Sequence, residues 1–120
     1  MARMVSIHEY DLKPDADLAR FEQMLGDAEA RGLFRLPGLV AHHFLKGIKG
    51  ARAGGYTALW IYESREAWER LWGTLERPRA PRDYPEPWKT WERELLAPFL
   101  SVHPDATRFT AYQELTANQR

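Results

Sequence analysis

His8, Tyr10, Trp60 and Tyr62 are the residues whose types and spacing could do chemistry together. Imidazole titrates near neutral pH and can take a proton, and phenols can donate to a developing oxyanion. Each pair is spaced by two, which in an extended strand sends both side chains to one face. On adjacent strands the four would line a small-molecule cavity, with His8 as the candidate base. The same groups would equally pack and hydrogen-bond across an interface.

His42 and His43 sit side by side in LVAHHFLKG, residues 39–47. Neighbours on a strand face opposite ways, so the two cannot grip one metal ion. A hairpin that pairs Gly47 with Gly55 puts His42 on the Trp60 side, and a slip of one residue selects His43. His8 would then lie two strand spacings from His42, about 9–10 Å, too far for shared ligation. No carboxylate completes a triad, and no metal site is expected. Ser6 and His8 share a strand face, too little alone for nucleophilic catalysis. There is no G-x-S-x-G elbow, H-E-x-x-H or D-x-D loop. GARAGG sits in a hairpin and precedes a strand, so it is no phosphate loop.

The elements that must position these groups follow from periodicity. RMVSIHEYDL, residues 3–12, alternates with period two and reads as a strand ending at Pro14. Leu18, Phe21, Leu25 and Ala28 recur at helical spacing over residues 15–31, with Asp15 as cap and Gly32 as terminator. Residues 39–47 and 56–63 read as a hairpin of two strands. Ser64 caps a helix carrying Trp68, Leu71, Trp72 and Leu75 on one stripe. A proline-rich insertion, 78–87, splits that helix and is a candidate lid with Tyr84. Helical spacing then resumes with Trp88, Trp91, Leu95 and Phe99, whose rings are expected in the core. Residues 105–115 read as a last strand, and 116–120 as a frayed tail.

The order β-α-β-β-α-β predicts an α+β, ferredoxin-like domain spanning 1–120: a four-stranded antiparallel sheet, helices on one face, strands one and three central. Val5, Ile7, Leu59 and Ile61 are the natural helix-facing layer. That leaves Met4, His8, Tyr10, Trp60 and Tyr62 on the face without helices, a patch larger than monomers usually expose. A second copy covering it would make a homodimer in which two sheets close into a barrel.

Composition agrees with one globular domain and narrows its partners. The chain has 120 residues, 44% hydrophobic, with five each of Trp, Tyr and Phe, so bulky rings dominate its core or an interface. Acidic and basic residues balance at 17 each, without the positive field that nucleic-acid binding needs. RPRAPR, residues 77–82, is short and followed at once by acids. The absence of cysteine excludes thiolate chemistry and disulfides. Without a membrane-length apolar run or signal peptide, the chain is expected in the cytoplasm, with no membrane partner.

Three stretches resemble a known family. IHEYDLKP, ALWIYESREAWERLW and WKTWERELLAPFL are similar to the first strand, third strand and late Trp-led helix of NIPSNAP-like proteins. These belong to the dimeric α/β barrel superfamily, together with antibiotic-biosynthesis monooxygenases and haem-degrading enzymes. The family commonly carries Glu and Arg on the first strand, where this chain has Ser6 and His8. The resemblance implies a dimeric barrel. Joined to the histidine and aromatic lining read from the strands, it points to a small apolar or aromatic ligand, with His8, Tyr10, His42, Trp60 and Tyr62 as the candidate binding residues. It is compatible with cofactor-independent oxygen chemistry based on His8 and with non-catalytic binding or an interaction role. No bound cofactor is expected. Haem-degrading relatives carry a helical histidine, and neither expected helix here has one.

Overall fold

Period-two alternation over residues 4–10 and 56–62 builds the two central strands, β1 (Met4–Tyr10) and β3 (Tyr56–Tyr62). The computed structural model describes residues 2–115; the expected tail at 116–120 lies outside them. With β2 (Leu39–Lys46) and β4 (Arg108–Gln113) the strands form one antiparallel sheet in the order β2-β3-β1-β4. This is the expected ferredoxin-like sheet, open at both edges rather than closed on itself. The hairpin register is set where the Gly47 N–H donates to the Gly55 carbonyl at 2.8 Å, which pairs His42 with Trp60.

Helix α1 (Leu18–Ala30) buries Phe21, Met24 and Ala28 against the sheet. Its cap is Asp17, not Asp15: the Asp17 carboxylate accepts from the Arg20 N–H at 3.2 Å. Helix α2 (Arg65–Trp72) starts at Ser64 as expected, whose hydroxyl accepts from the Ala67 N–H at 3.1 Å. It ends sooner than its apolar stripe suggests, and Leu75 lies beyond it, 66% exposed. The reason is Gly73, at φ 87°, where an added Cβ would stand 2.4 Å from the Arg79 nitrogen. The chain turns back there, and the Arg79 N–H donates to the Trp72 carbonyl at 2.8 Å.

The proline-rich segment then crosses to α3 (Glu86–Thr90), which continues as a π-helical turn over Trp91–Leu96 and a 3₁₀ turn over Ala97–Phe99. Among the described residues no helix is long and apolar enough to cross a membrane.

The structure reverses the expected assignment of the sheet faces. Met4, Ser6, Tyr10, Tyr56, Ala58, Trp60 and Tyr62 are buried beneath the helices, with His8 among them. Val5, Ile7, Leu59 and Ile61 lie half-buried on the bare face. Alternation separates two sets of side chains without saying which one the helices take. Ring area decides it, because the helix–sheet layer is the only place one chain can cover such large apolar groups. Across the bare face run two rows, Ala41–Ile61–Val5–Tyr112 and His43–Leu59–Ile7–Thr110. One end of that face is ionic: Arg52 and Arg108 reach Glu9 and Asp11 at 3.2–3.8 Å.

Candidate functional site

The covered layer is filled unevenly. Toward β2, Phe34 packs on Trp91 at 5.0 Å and on Trp60 at 5.2 Å between ring centroids. Phe44 meets both indoles at 5.6 Å. Toward β4 the rings stand around a cavity of about 550 Å³, ample for a small organic molecule. Its floor is Ser6 and His8 of β1, Tyr62 of β3, and Phe109 and Ala111 of β4. Its walls are Trp68 and Trp72 of α2, Trp88 and Glu92 of the α3 segment, and Pro81 and Tyr84 of the proline-rich crossing.

The cavity exists because α2 is short. A longer helix would lie over β4, but Gly73 stops it and the proline-rich chain spans the gap as a loose roof. Edge-to-face ring contacts stiffen that roof: Trp72 meets Tyr84 at 5.1 Å and 88°, and Trp88 at 5.2 Å and 64°.

His8 stands at the junction of the two halves. Its ring lies 5.9 Å from Trp60, 6.0 Å from Trp88 and 5.5 Å from Phe109. Its Nε2 and the Ser6 hydroxyl share a hydrogen bond at 3.2 Å. Burial among rings disfavours the imidazolium and pulls the His8 pKa down to about 4, so the ring is neutral around pH 7. Glu92 moves the other way. Burial, reinforced by the Asp105 carboxylate, raises its pKa to about 7. Neutral His8 can accept a proton but is a weak base, whereas Glu92 is poised between acid and base near neutrality. Burial also raises the Tyr62 and Tyr84 phenols, which remain donors.

Of the expected site residues, His8 and Tyr62 line this cavity. Trp60 is fully buried in the packed half, and Tyr10 is buried with its hydroxyl unpartnered among the described residues. His42 does lie on the Trp60 side, stacked on that indole at 5.7 Å, but at the far edge. It pairs with Glu29 of α1, while His43 faces the bare side. These three expected ligand residues are therefore not cavity walls. Among the described residues no three His, Asp or Glu side chains converge as metal ligands. The residue that sequence reasoning missed is Glu92. Its signal was position: it follows Trp88 by four, an acid on the apolar stripe of a helix. The π-helical turn holding it is a local irregularity often found at functional sites.

No protein-family model matches the sequence, and no curated protein matches it. Solved structures do resemble the fold. SnoaB, a cofactor-independent oxygenase from Streptomyces nogalater, superposes with a TM-score of 0.57 at 15% identity, covering 100% of this chain and 97% of its own. A NIPSNAP-like domain protein from Burkholderia xenovorans gives 0.54 at 21% identity, covering 98% and 88%. A dimeric ferredoxin-like protein of unknown function from Thermobifida fusca gives 0.56 at 14% identity, covering 93% and 89%. At these identities the likeness establishes the ferredoxin-like fold that the NIPSNAP and monooxygenase resemblance implied.

Proposed function

We propose that this chain binds a small aromatic or apolar molecule in the cavity between its helices and the β4 side of its sheet. The observation that carries this is the cavity itself, about 550 Å³ walled by Trp68, Trp72, Trp88 and Tyr84 with few polar groups. Isothermal titration with 1-naphthol tests it. Saturable binding that weakens in Trp72→Ala is expected, and no binding at millimolar ligand would overturn the reading.

A second reading, cofactor-independent oxygen chemistry, is supported by two proton acceptors of different strength in one cavity, Glu92 and His8. A base removes a proton from an activated methylene, and the carbanion passes an electron to oxygen. Recombination gives a hydroperoxide, which loses water to leave a carbonyl, so one oxygen atom enters the product and the other leaves as water. SnoaB, of like fold, is described as such an oxygenase. Oxygen uptake with quinol-type substrates tests this in the wild type, His8→Ala and Glu92→Gln. Turnover that survives both substitutions removes both residues as base; binding without turnover favours a purely binding role.

The homodimer belongs to the same proposal, with its interface redrawn. The surface a second copy would cover is the aliphatic one, Val5, Ile7, Leu59 and Ile61, extended by Leu45 and Tyr112, 48% and 51% exposed. The likeness to a dimeric ferredoxin-like protein supports it. Light scattering at low micromolar concentration is expected to give twice the 14.0 kDa chain mass. Ile61→Lys should return it to the chain mass, and a wild-type monomer would refute the pairing.

A further inference from the structure

The charged groups around the cavity are one-sided. Glu92 and Asp105 line it, and among the described residues no Lys or Arg does. His8, its imidazole, is held neutral by burial. Arg93, next to Glu92, is exposed and outside the lining, and Lys89 is engaged by Glu86 at 2.6 Å. Asp105 stands at the rim, its side chain 43% exposed and 3.6 Å from the His103 imidazole. Glu92 is deeper, facing Asp105 and the Tyr10 and Tyr84 phenols; the Trp88 side chain and the exposed Arg93 favour its charged form, but burial and Asp105 outweigh them.

Around these carboxyls the walls are electron-rich ring systems set edge to face. Trp72 with Tyr84, and Trp72 with Trp88, make two adjoining corners. An aromatic corner attracts positive charge through the ring quadrupole, most strongly where water is excluded. A buried carboxyl with no cation beside it in the cavity lining favours the same charge.

We infer that the cavity selects small organic cations, molecules with an ammonium or alkylated nitrogen on an apolar body, seated between the Trp72–Tyr84–Trp88 corners and the Glu92 carboxylate. This rests on the proposed ligand cavity and names the class of ligand it takes. Anionic molecules of the same size are disfavoured, because each would meet two acids and no counter-charge. Binding also carries a proton consequence. Glu92 is partly protonated near pH 7, so a cation must displace that proton to gain its partner. Affinity for a permanently charged ligand should therefore rise between pH 6 and 8.

Isothermal titration of the full chain with three probes of one size tests this: phenyltrimethylammonium, its neutral isostere tert-butylbenzene, and benzoate. The cation is expected to bind about tenfold tighter than the isostere, with benzoate weakest. Glu92→Gln should cut that preference several-fold and remove the pH dependence, with a cooperative thermal melt reporting that the variant is folded. Equal or tighter binding of the neutral or anionic probe would overturn the inference and leave the cavity reading standing. A preference undiminished in Glu92→Gln would overturn it too. Binding of none of the three would count against both.

Discussion

The two halves of the layer between helices and sheet are built from the same residue types and do opposite things. Toward β2, Phe34, Phe44, Trp60 and Trp91 interlock, and both indoles are fully buried. Toward β4, Trp68, Trp72, Trp88 and Tyr84 stand around open space. Composition does not separate them; cover does. Helix α1 and the α3 segment lie over the first half, while the second has a short helix and a proline-rich crossing for a roof. A ring becomes core or cavity wall according to whether a neighbouring element arrives to fill the space beside it.

Matched tryptophan truncations give the largest contrast. Trp91→Ala empties the packed half and is expected to cost about 3–5 kcal/mol in denaturant unfolding. Trp72→Ala enlarges a space that is already hollow and should cost less than about 2 kcal/mol. Its effect falls on 1-naphthol affinity instead, a loss of about tenfold or more. Equal stability losses would mean that the hollow half is filled after all.

The cavity's two ionisable groups should respond oppositely to pH. Glu92 holds its proton more tightly folded than unfolded, so its contribution is complete below pH 4.5 and fades as pH rises through about 7. Glu92→Gln should therefore stabilise the chain at pH 8 relative to pH 4, by up to about 3 kcal/mol at 1.36 kcal/mol per pH unit. His8 binds its proton less tightly folded, so its contribution is complete above pH 6.5 and fades as pH falls through about 4. His8→Gln should flatten the acid limb of a melting-temperature profile between those values. A variant whose profile parallels the wild type would show that its residue is not in the dry setting described.

A smaller effect is expected at the hinge of the roof. Gly73→Ala forces a side chain into positive φ and against the Arg77 and Arg79 backbone. A loss of about 1–3 kcal/mol should come with weakened ligand binding. Gly50→Ala, also at positive φ but in open space in the β2–β3 turn, should lose stability without losing binding.

Strand and helix order was legible because apolar period and glycine and proline punctuation are local properties. That His8 and Tyr10 share a face with Trp60 and Tyr62 followed from the same alternation, whereas the choice between His42 and His43 waited on the hairpin register, which the Gly47–Gly55 pairing sets. Which face the helices would take was not legible. Val5, Ile7, Leu59 and Ile61 make as plausible a core layer as the rings do, and the choice depends on the thickness of the layer above. For that reason His8 and Tyr62 were placed in a ligand site, but on the wrong side of the sheet. Tyr10, Trp60 and His42 were included although they are packed. Glu92 was hidden because its environment comes from residues far apart in sequence, Asp105 among them.

The location of the ligand is the claim on which the rest depends, and indole N–H shifts read it directly. Titrating ¹⁵N-labelled protein with 1-naphthol should move the Trp68, Trp72 and Trp88 indole signals. Those of Trp60 and Trp91, and the Ile7 and Ile61 methyls of the bare face followed in a ¹³C-methyl sample, should stay in place. Shifts confined to the Ile7 and Ile61 methyls would put the ligand on the opposite face of the sheet and contradict the account.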